Sequence, residues 1–321
     1  MWLFHRSKFE FIRLRRKAYV VSGAVLALGV AGVGLNLVRT GAWQNYGVDF
    51  TGGVLVQVRF DEETSDSELR QALGGVNAPP ITRFGGENEF VVRAPVTEGS
   101  DLDEVAAGIA AQVAATYGSD AFEIVRRESV GKKIGDELEA QAVMAVLFSF
   151  ALTLVYIALR FEIRFGVAAI IATAHDILIT LGLLALFRVE ISLPTVAAIL
   201  TILGYSLNDT IVVFDRIREN LNRRGGRRED PYRLVNRSIN ETLPRTVLTS
   251  GTTLAVLMSL LLLGGAVIRP FTMVLILGVL IGTYSSIFIA SPALLEIQKR
   301  YGTADPRDKE RKKAARRAAA V

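Results

Sequence analysis

Three ionisable side chains stand in stretches that are otherwise apolar: Asp176, Asp209 and Arg245. Placing such a group at the centre of a membrane-spanning helix costs about 2.5–3.5 kcal/mol on insertion scales, so it should face a bundle interior or a wet cavity. Desolvation favours the protonated form of a carboxyl group, and a nearby guanidinium favours the ionised form. A carboxyl poised between these influences can take a proton from one side and release it to the other, which is proton-relay chemistry. Polar neighbours gather at the same places. His175 precedes Asp176, Ser206, Asn208 and Thr210 surround Asp209, and Thr242-Leu-Pro-Arg-Thr246 leads to Thr249, Ser250 and Gly251. Ser206, Asp209 and Val213 share a helix face by their spacing. The competing reading is structural: Asp209 and Arg245 form an ion pair that fixes helix register, and Asp176 is a core residue with no evident cation. Asp215 and Glu219, among Arg216 and Arg218, read as solvated charges at a membrane edge.

The composition narrows the chemistry further. The 321 residues include no Cys and two His, which removes disulfides, thiol catalysis and thiolate metal centres and argues against a His-rich metal site. There is no Gly-x-x-x-x-Gly-Lys-Ser/Thr loop and no Gly-x-Gly-x-x-Gly between a strand and a helix, so ATP hydrolysis by this chain is not expected. No enzyme activity and no cofactor beyond the proton is called for. Half of the residues are hydrophobic and the mean hydropathy is +0.35, too apolar for an ordinary soluble enzyme.

The elements that must position these groups are membrane spans. Six runs of about 20 residues carry few or no charges, at 18–38, 140–159, 166–187, 193–214, 246–268 and 271–292. Asp176 then lies roughly 15 Å into the third span, Asp209 lies roughly 8 Å from the end of the fourth, and Arg245 opens the fifth. Lys and Arg resist translocation and set the orientation. Six of them precede the first span, Arg160 and Arg164 follow the second, eight Arg lie between Arg216 and Arg237, and nine Lys and Arg follow from Lys299 onward. Residues 1–17, the loop 215–244 and the tail 299–321 are therefore expected in the cytoplasm, with 140–298 as a five-helix region. The short outer turns hold only Arg188 and Arg269. The first span has a basic leader but about 21 apolar residues and no small-residue cleavage site, so it reads as an uncleaved anchor.

The polar block 39–139 between the first two spans faces outward and carries 9 Lys+Arg against 18 Asp+Glu. The net charge of +5 thus averages an acidic outer domain with basic inner flanks and is no nucleic-acid footprint; the basic tail reads as retention beside anionic membrane lipid. Strands are expected at 54–60, 81–84, 89–94 and 122–130, and helices at 65–73 and 101–117, with Gly85-Gly86 and Asn88 suited to the turn between the middle strands. The order βαββαβ is the ferredoxin-like split arrangement, an α+β sheet with helices on one face. The segment Gly47-Val-Asp49-Phe50-Thr51-Gly52-Gly53 joins the first span to this sheet. Its paired glycines permit backbone conformations that other residues resist, Asp49 or Thr51 can cap or tighten a turn, and the expected role is a junction. Gly23, Gly29, Gly32 and Gly34 favour close helix contact in the first span.

The combination of GVDFTGG after the first span, His175-Asp176, GYSLNDTIVVFDRIREN at 204–220 and TLPRTVLTSGTT at 242–253 closely resembles the SecD/SecF family of protein-export membrane proteins. The likeness covers the chain apart from its two basic tails. It implies a six-helix half of a resistance-nodulation-division-type transporter fold, with SecD supplying the matching half. It also implies work beside the SecYEG channel and SecA, on an unfolded preprotein, from the periplasmic side of a bacterial inner membrane and driven by the proton motive force. The resemblance carries Asp209 and Arg245 over as transport residues, and Asp176 as part of a His-Asp dipeptide of less defined role. Two rivals fit the same intramembrane carboxylates: a proton-coupled exporter of small molecules or lipids, and a passive assembly factor. An exporter should show a ligand-sized apolar pocket in the outer domain, and about 90 residues with a filled core leave little room.

Overall fold

The computed structural model describes residues 8–83, 88–97, 99–223, 226 and 229–301. The expected turn at Gly85-Gly86, Arg6, Arg224, Arg227 and Arg228, and the tail beyond 301 lie outside the described residues. A helical turn at Phe11–Leu14 leads into α1 (Arg15–Thr40). Strand β1 (Asn45–Tyr46) and the one-turn helix α2 (Val48–Thr51) follow, then β2 (Gly53–Phe60), α3 (Asp66–Ala72), β3 (Ile81–Arg83), β4 (Glu89–Ala94), α4 (Leu102–Tyr117) and β5 (Phe122–Val130). The chain continues with α5 (Lys132–Arg160), α6 (Ile163–Leu186), β6 (Glu190–Ile191), α7 (Leu193–Asn222) and α8 (Pro231–Leu263). It ends with α9 (Gly265–Ser285), a π-helical turn at Ser286–Ala290 and α10 (Ser291–Tyr301).

The outer block folds as its periodicity predicts. Its sheet has the order β3-β4-β2-β5 with every pair antiparallel, which is the ferredoxin-like topology. Alternate residues of β2, Val54, Val56, Val58 and Phe60, meet Leu69 of α3 and Ala106, Ile109 and Val113 of α4 in one apolar core. Both helices are capped in the way their sequences allow. Ser65 Oγ accepts the Glu68 N–H at 3.2 Å while Glu68 accepts the Ser65 N–H at 2.9 Å, and Asp101 accepts the amides of Asp103 and Glu104. The Ser65 amide beside it holds the Glu68 carboxyl below the usual carboxylate range. On the opposite face of the sheet, Leu55 and Val91 are covered by Val48 of α2, so the junction itself seals the side turned to the spans.

Among the described residues, six helices are long and apolar enough to cross a membrane, the sixth being built from α9, the π-helical turn and α10. Buried share separates them: at least half of the apolar stretch is buried in α6, α7 and the sixth, against 6 % in α5. The first three form the inside of the bundle, and α5, α8 and α1 surround them. Close contact between α1 and α6 rests on glycine. A side chain at Gly29 would meet the Gly182 backbone at 2.7 Å, and one at Gly32 would meet Leu186 at 2.9 Å, whereas Gly23 and Gly34 face open space.

The boundaries around the fourth and fifth spans differ from the sequence expectation. The proposed loop 215–244 is mostly helix, because α7 continues to Asn222 and α8 already begins at Pro231. Charge pairs hold these extensions: Arg216 contacts Glu219 and Glu241 at 2.6 Å each, and Arg223 contacts Glu219 at 2.8 Å. Asp230 caps α8, with Pro231 at the first helical position where its missing N–H costs nothing. Pro244 lies within α8 instead of ahead of it, and the helix ends at Leu263 before Gly264-Gly265. Asp215 is not merely solvated: it pairs with Arg160 at 3.0 Å and Arg218 at 2.9 Å, tying α7 to the end of α5.

Candidate functional site

The two predicted acids stand in separate polar groups of the bundle, and α7 contributes to both. The first is built on α6. His175 Nδ1 lies 2.8 Å from Asp176 Oδ1, His175 Nε2 lies 3.1 Å from Ser22 Oγ of α1, and Ser206 Oγ of α7 donates to Asp176 Oδ2. Ser22 Oγ lies 3.0 Å from the Tyr284 hydroxyl of α9, which donates to the Ala18 carbonyl at 2.8 Å. Proton counting fixes the directions. Because Tyr284 donates to a carbonyl, its oxygen accepts from Ser22; Ser22 has then used its proton and accepts from His175 Nε2–H. With Nε2 protonated, the Nδ1 contact requires one more proton, carried by either His175 or Asp176. The pair therefore shares a single proton and is neutral as a unit, which is how a buried His and Asp avoid an uncompensated charge.

The second group surrounds Asp209, which is 2 % exposed. Ser250 Oγ of α8 lies 3.3 Å from Asp209 Oδ2 and 2.7 Å from Thr283 Oγ1 of α9, and Thr283 reaches the Val279 carbonyl at 2.7 Å. Here proton counting allows two patterns, one of which gives up the Thr283–Val279 contact. With Asp209 ionised, Thr283 turns from the Val279 carbonyl to donate to Ser250, and Ser250 donates to the carboxylate, leaving that carbonyl to its helical amide. With Asp209 protonated, the carboxyl donates to Ser250, Ser250 to Thr283, and Thr283 to the Val279 carbonyl. Rotation of two hydroxyls interconverts them.

The remaining predicted residues divide. Asp176, His175, Ser206, Asp209 and Thr210 are buried. Arg245 and Asn208 are exposed on the bundle surface, and no ion pair links Asp209 to Arg245 among the described residues, so the register-fixing bridge is not formed. Thr249 turns back onto its own helix, donating to the Arg245 carbonyl at 3.0 Å. Sequence reasoning missed Ser22, Thr283 and Tyr284. The run Thr283-Tyr-Ser-Ser286 was a readable signal, since four hydroxyls in an apolar span need partners, and the π-helical turn begins at its end.

The junction motif forms a clamp. Gly52 and Gly53 have φ of +69° and +129°, conformations that side chains disfavour, and Gly135 of α5 packs against the Gly52 amide where a Cβ would come within 2.9 Å. Asp49 Oδ2 accepts the Leu193 N–H at 2.8 Å, capping α7, and Phe50 packs with Leu184, Ile199, Ile202 and Val274 of the spans. Thr51 bonds the Gly47 carbonyl at 3.1 Å. β1 pairs in parallel with β6, and Arg93 of β4 contacts Glu190 of β6 at 2.6 Å. The outer domain is thereby fastened to the start of the helix that bears Asp209.

Comparison with known proteins agrees with these features. Residues 109–300 match the family model described as protein export membrane protein SecD/SecF, C-terminal, and residues 45–64 match the SecD/SecF GG motif. The chain is 44 % identical over 310 residues to protein translocase subunit SecF of Gemmatimonas aurantiaca, covering 94 % of this chain and 91 % of the relative. It is 38 % identical over 294 residues to protein translocase subunit SecF of Escherichia coli O157:H7, covering 91 % and 88 %. Its fold matches the crystal structure of SecDF, a translocon-associated membrane protein from Thermus thermophilus, with a TM-score of 0.78 and 41 % identity over 94 % of this chain. It spans 40 % of the length of that SecDF chain. With its glycine motif, its outer α/β domain and its six membrane-length helices all accounted for, the chain belongs to the SecD/SecF family of protein-export membrane proteins.

Proposed function

We propose that this chain is the SecF-type half of a SecD–SecF assembly, which uses proton flow past Asp209 to assist the export of unfolded preprotein through the SecYEG channel beside SecA. The observation that carries the reading is the Asp209–Ser250–Thr283 chain, in which rotation of two hydroxyls gives Ser250 and Thr283 a partner in either protonation state of Asp209. A buried carboxyl whose polar partners are satisfied in either protonation state can load and release a proton without leaving a group unpaired.

Arg245 supports the partner. An intramembrane guanidinium on the surface of an isolated six-helix bundle cannot remain against lipid at low cost, so the face carrying Arg245 and Asn208 is the one SecD covers. Proton entry would then run between the halves, with Arg245 setting how readily Asp209 ionises. His175 and Asp176 hold a second shared proton one helix away.

The junction clamp supplies the transmission. A shift of α7 on protonation of Asp209 would reach the outer domain through Asp49, Phe50 and the Arg93–Glu190 pair. One charge falling through 100 mV releases about 2.3 kcal/mol, enough to move a two-state equilibrium about fiftyfold. In this reading the chain lies in a bacterial inner membrane with both termini cytoplasmic and residues 39–139 periplasmic, and the proton is its coupling ion. Export assayed with and without a proton gradient, in membranes holding the SecD partner and Ser250→Ala, tests it: the gradient-dependent part should fall severalfold, and an unchanged response would refute the relay. An exporter or an assembly factor would not link gradient-dependent protein export to this hydroxyl.

A further inference from the structure

The two basic residues of the outer turns, Arg188 and Arg269, converge on one cleft. Its volume is about 710 Å³, and it opens between the outer domain and the ends of the third and sixth spans. Arg83 and Arg93 line it from the sheet, so four guanidinium groups face one carboxylate, Glu190. Two of the four are neutralised: Arg93 by Glu190 at 2.6 Å, and Arg83 by Asp66 at 3.4 Å. Arg188 has a neutral partner, Asn36 Oδ1 at 3.1 Å, and Arg269 has no hydrogen bond or ion pair among the described residues. The unneutralised charge therefore lies on the membrane side of the cleft.

Arg188 is held there against its backbone preference. It is the one non-glycine residue with positive φ among the described residues, at 52°, a helix-ending position that glycine or asparagine usually fills. Its carbonyl accepts from Asn45, and its amide donates to the Ala185 carbonyl, so the conformation is fixed from both sides. The flanking wall is apolar: Phe187 is 66 % exposed and Met273 is 44 % exposed, both at span ends. Anionic charge and hydrocarbon are thus accommodated side by side at membrane-surface level.

We propose that this cleft binds the phosphate headgroup of an anionic phospholipid, held by Arg188 and Arg269, with its acyl chain against Phe187 and Met273. A lipid seated there touches both the outer domain and the spans, and so bears on the angle between them.

The test is native mass spectrometry of the full chain, with its SecD partner, released from nanodiscs of phosphatidylcholine doped with phosphatidylglycerol. Arg188→Gly relieves the backbone but gives up the contact with Asn36, so its melting is measured alongside; paired with Arg269→Gln it should lower retained phosphatidylglycerol about fivefold per guanidinium removed while melting like the parent. Arg70→Gln, on α3 and outside the lining of the cleft, should leave retention unchanged. Equal retention by the double variant and the parent overturns the site. Displacement of the lipid by inorganic phosphate, or by an acidic peptide at similar concentration, overturns the assignment to lipid.

Discussion

Ser206 and Asp209 stand one turn apart on α7 yet serve different proton-bearing groups: Ser206 donates to Asp176 of α6, whereas Asp209 meets Ser250 of α8. One helix face therefore feels the charge state of both carboxyls. A small rotation of α7 alters the two contacts together, which makes this helix the element on which protonation can act.

Asp176→Asn is expected to fold normally. Its amide N–H can donate to His175 Nδ1 while its oxygen accepts from Ser206, so the chain of hydrogen bonds closes without the shared proton. Asp176→Leu leaves His175 and Ser206 unpaired and should lose about 1–3 kcal/mol for each. Chemical denaturation in detergent checks this; equal losses in the two variants would contradict the shared-proton pair.

Asp49→Ala removes the acceptor at the start of α7 and should cost about 1 kcal/mol, with Asp49→Asn retaining much of the effect. Hydrogen exchange at the first turn of α7 reads this locally. Faster exchange in the alanine variant alone is expected, and no change in either would show that the junction does not hold the helix.

Gly29→Val should drive α1 away from α6, since even a Cβ there meets the Gly182 backbone at 2.7 Å, and the melting temperature should fall by several degrees. Gly34→Ala, which faces open space, should melt like the parent. Equal melting of all three would place the helix contact elsewhere.

Glu68 gives the outer domain an acid-sensitive helix start. Its folded pKa is lowered, so its contribution is present above the unfolded value of about 4.3 and is lost as pH falls through the depressed folded value. Hydrogen exchange in α3 should accelerate through that acidic range in the parent and show no such step in Glu68→Gln.

Much of this architecture was legible from residue patterns. The βαββαβ order followed from period-2 strands and capped helices, and the buried face of α7 from the spacing of Ser206, Asp209 and Val213. What pattern could not supply was partnership across sequence distance. Ser22 and Tyr284 are 262 positions apart, and nothing local to either names the other. Gly23, Gly29, Gly32 and Gly34 look alike in the sequence, but the crossing of α1 and α6 selects only the middle two. The start of α8 was not legible because only its apolar run, 246–268, has the pattern of a span, whereas cross-helix pairs such as Arg216–Glu241 carry the helix back to Pro231. Arg245 drew the same interest as Asp209 in the sequence, yet it lies exposed on the bundle surface.

The most direct test is Asp209→Asn, which keeps the shape of the side chain and its contact with Ser250 but cannot release a proton. Export should be measured in inverted membrane vesicles with SecD present, with and without a proton gradient, at matched membrane abundance. The gradient-dependent component is expected to vanish while the ATP-dependent component remains; a variant that retains full gradient stimulation would contradict proton flow through Asp209.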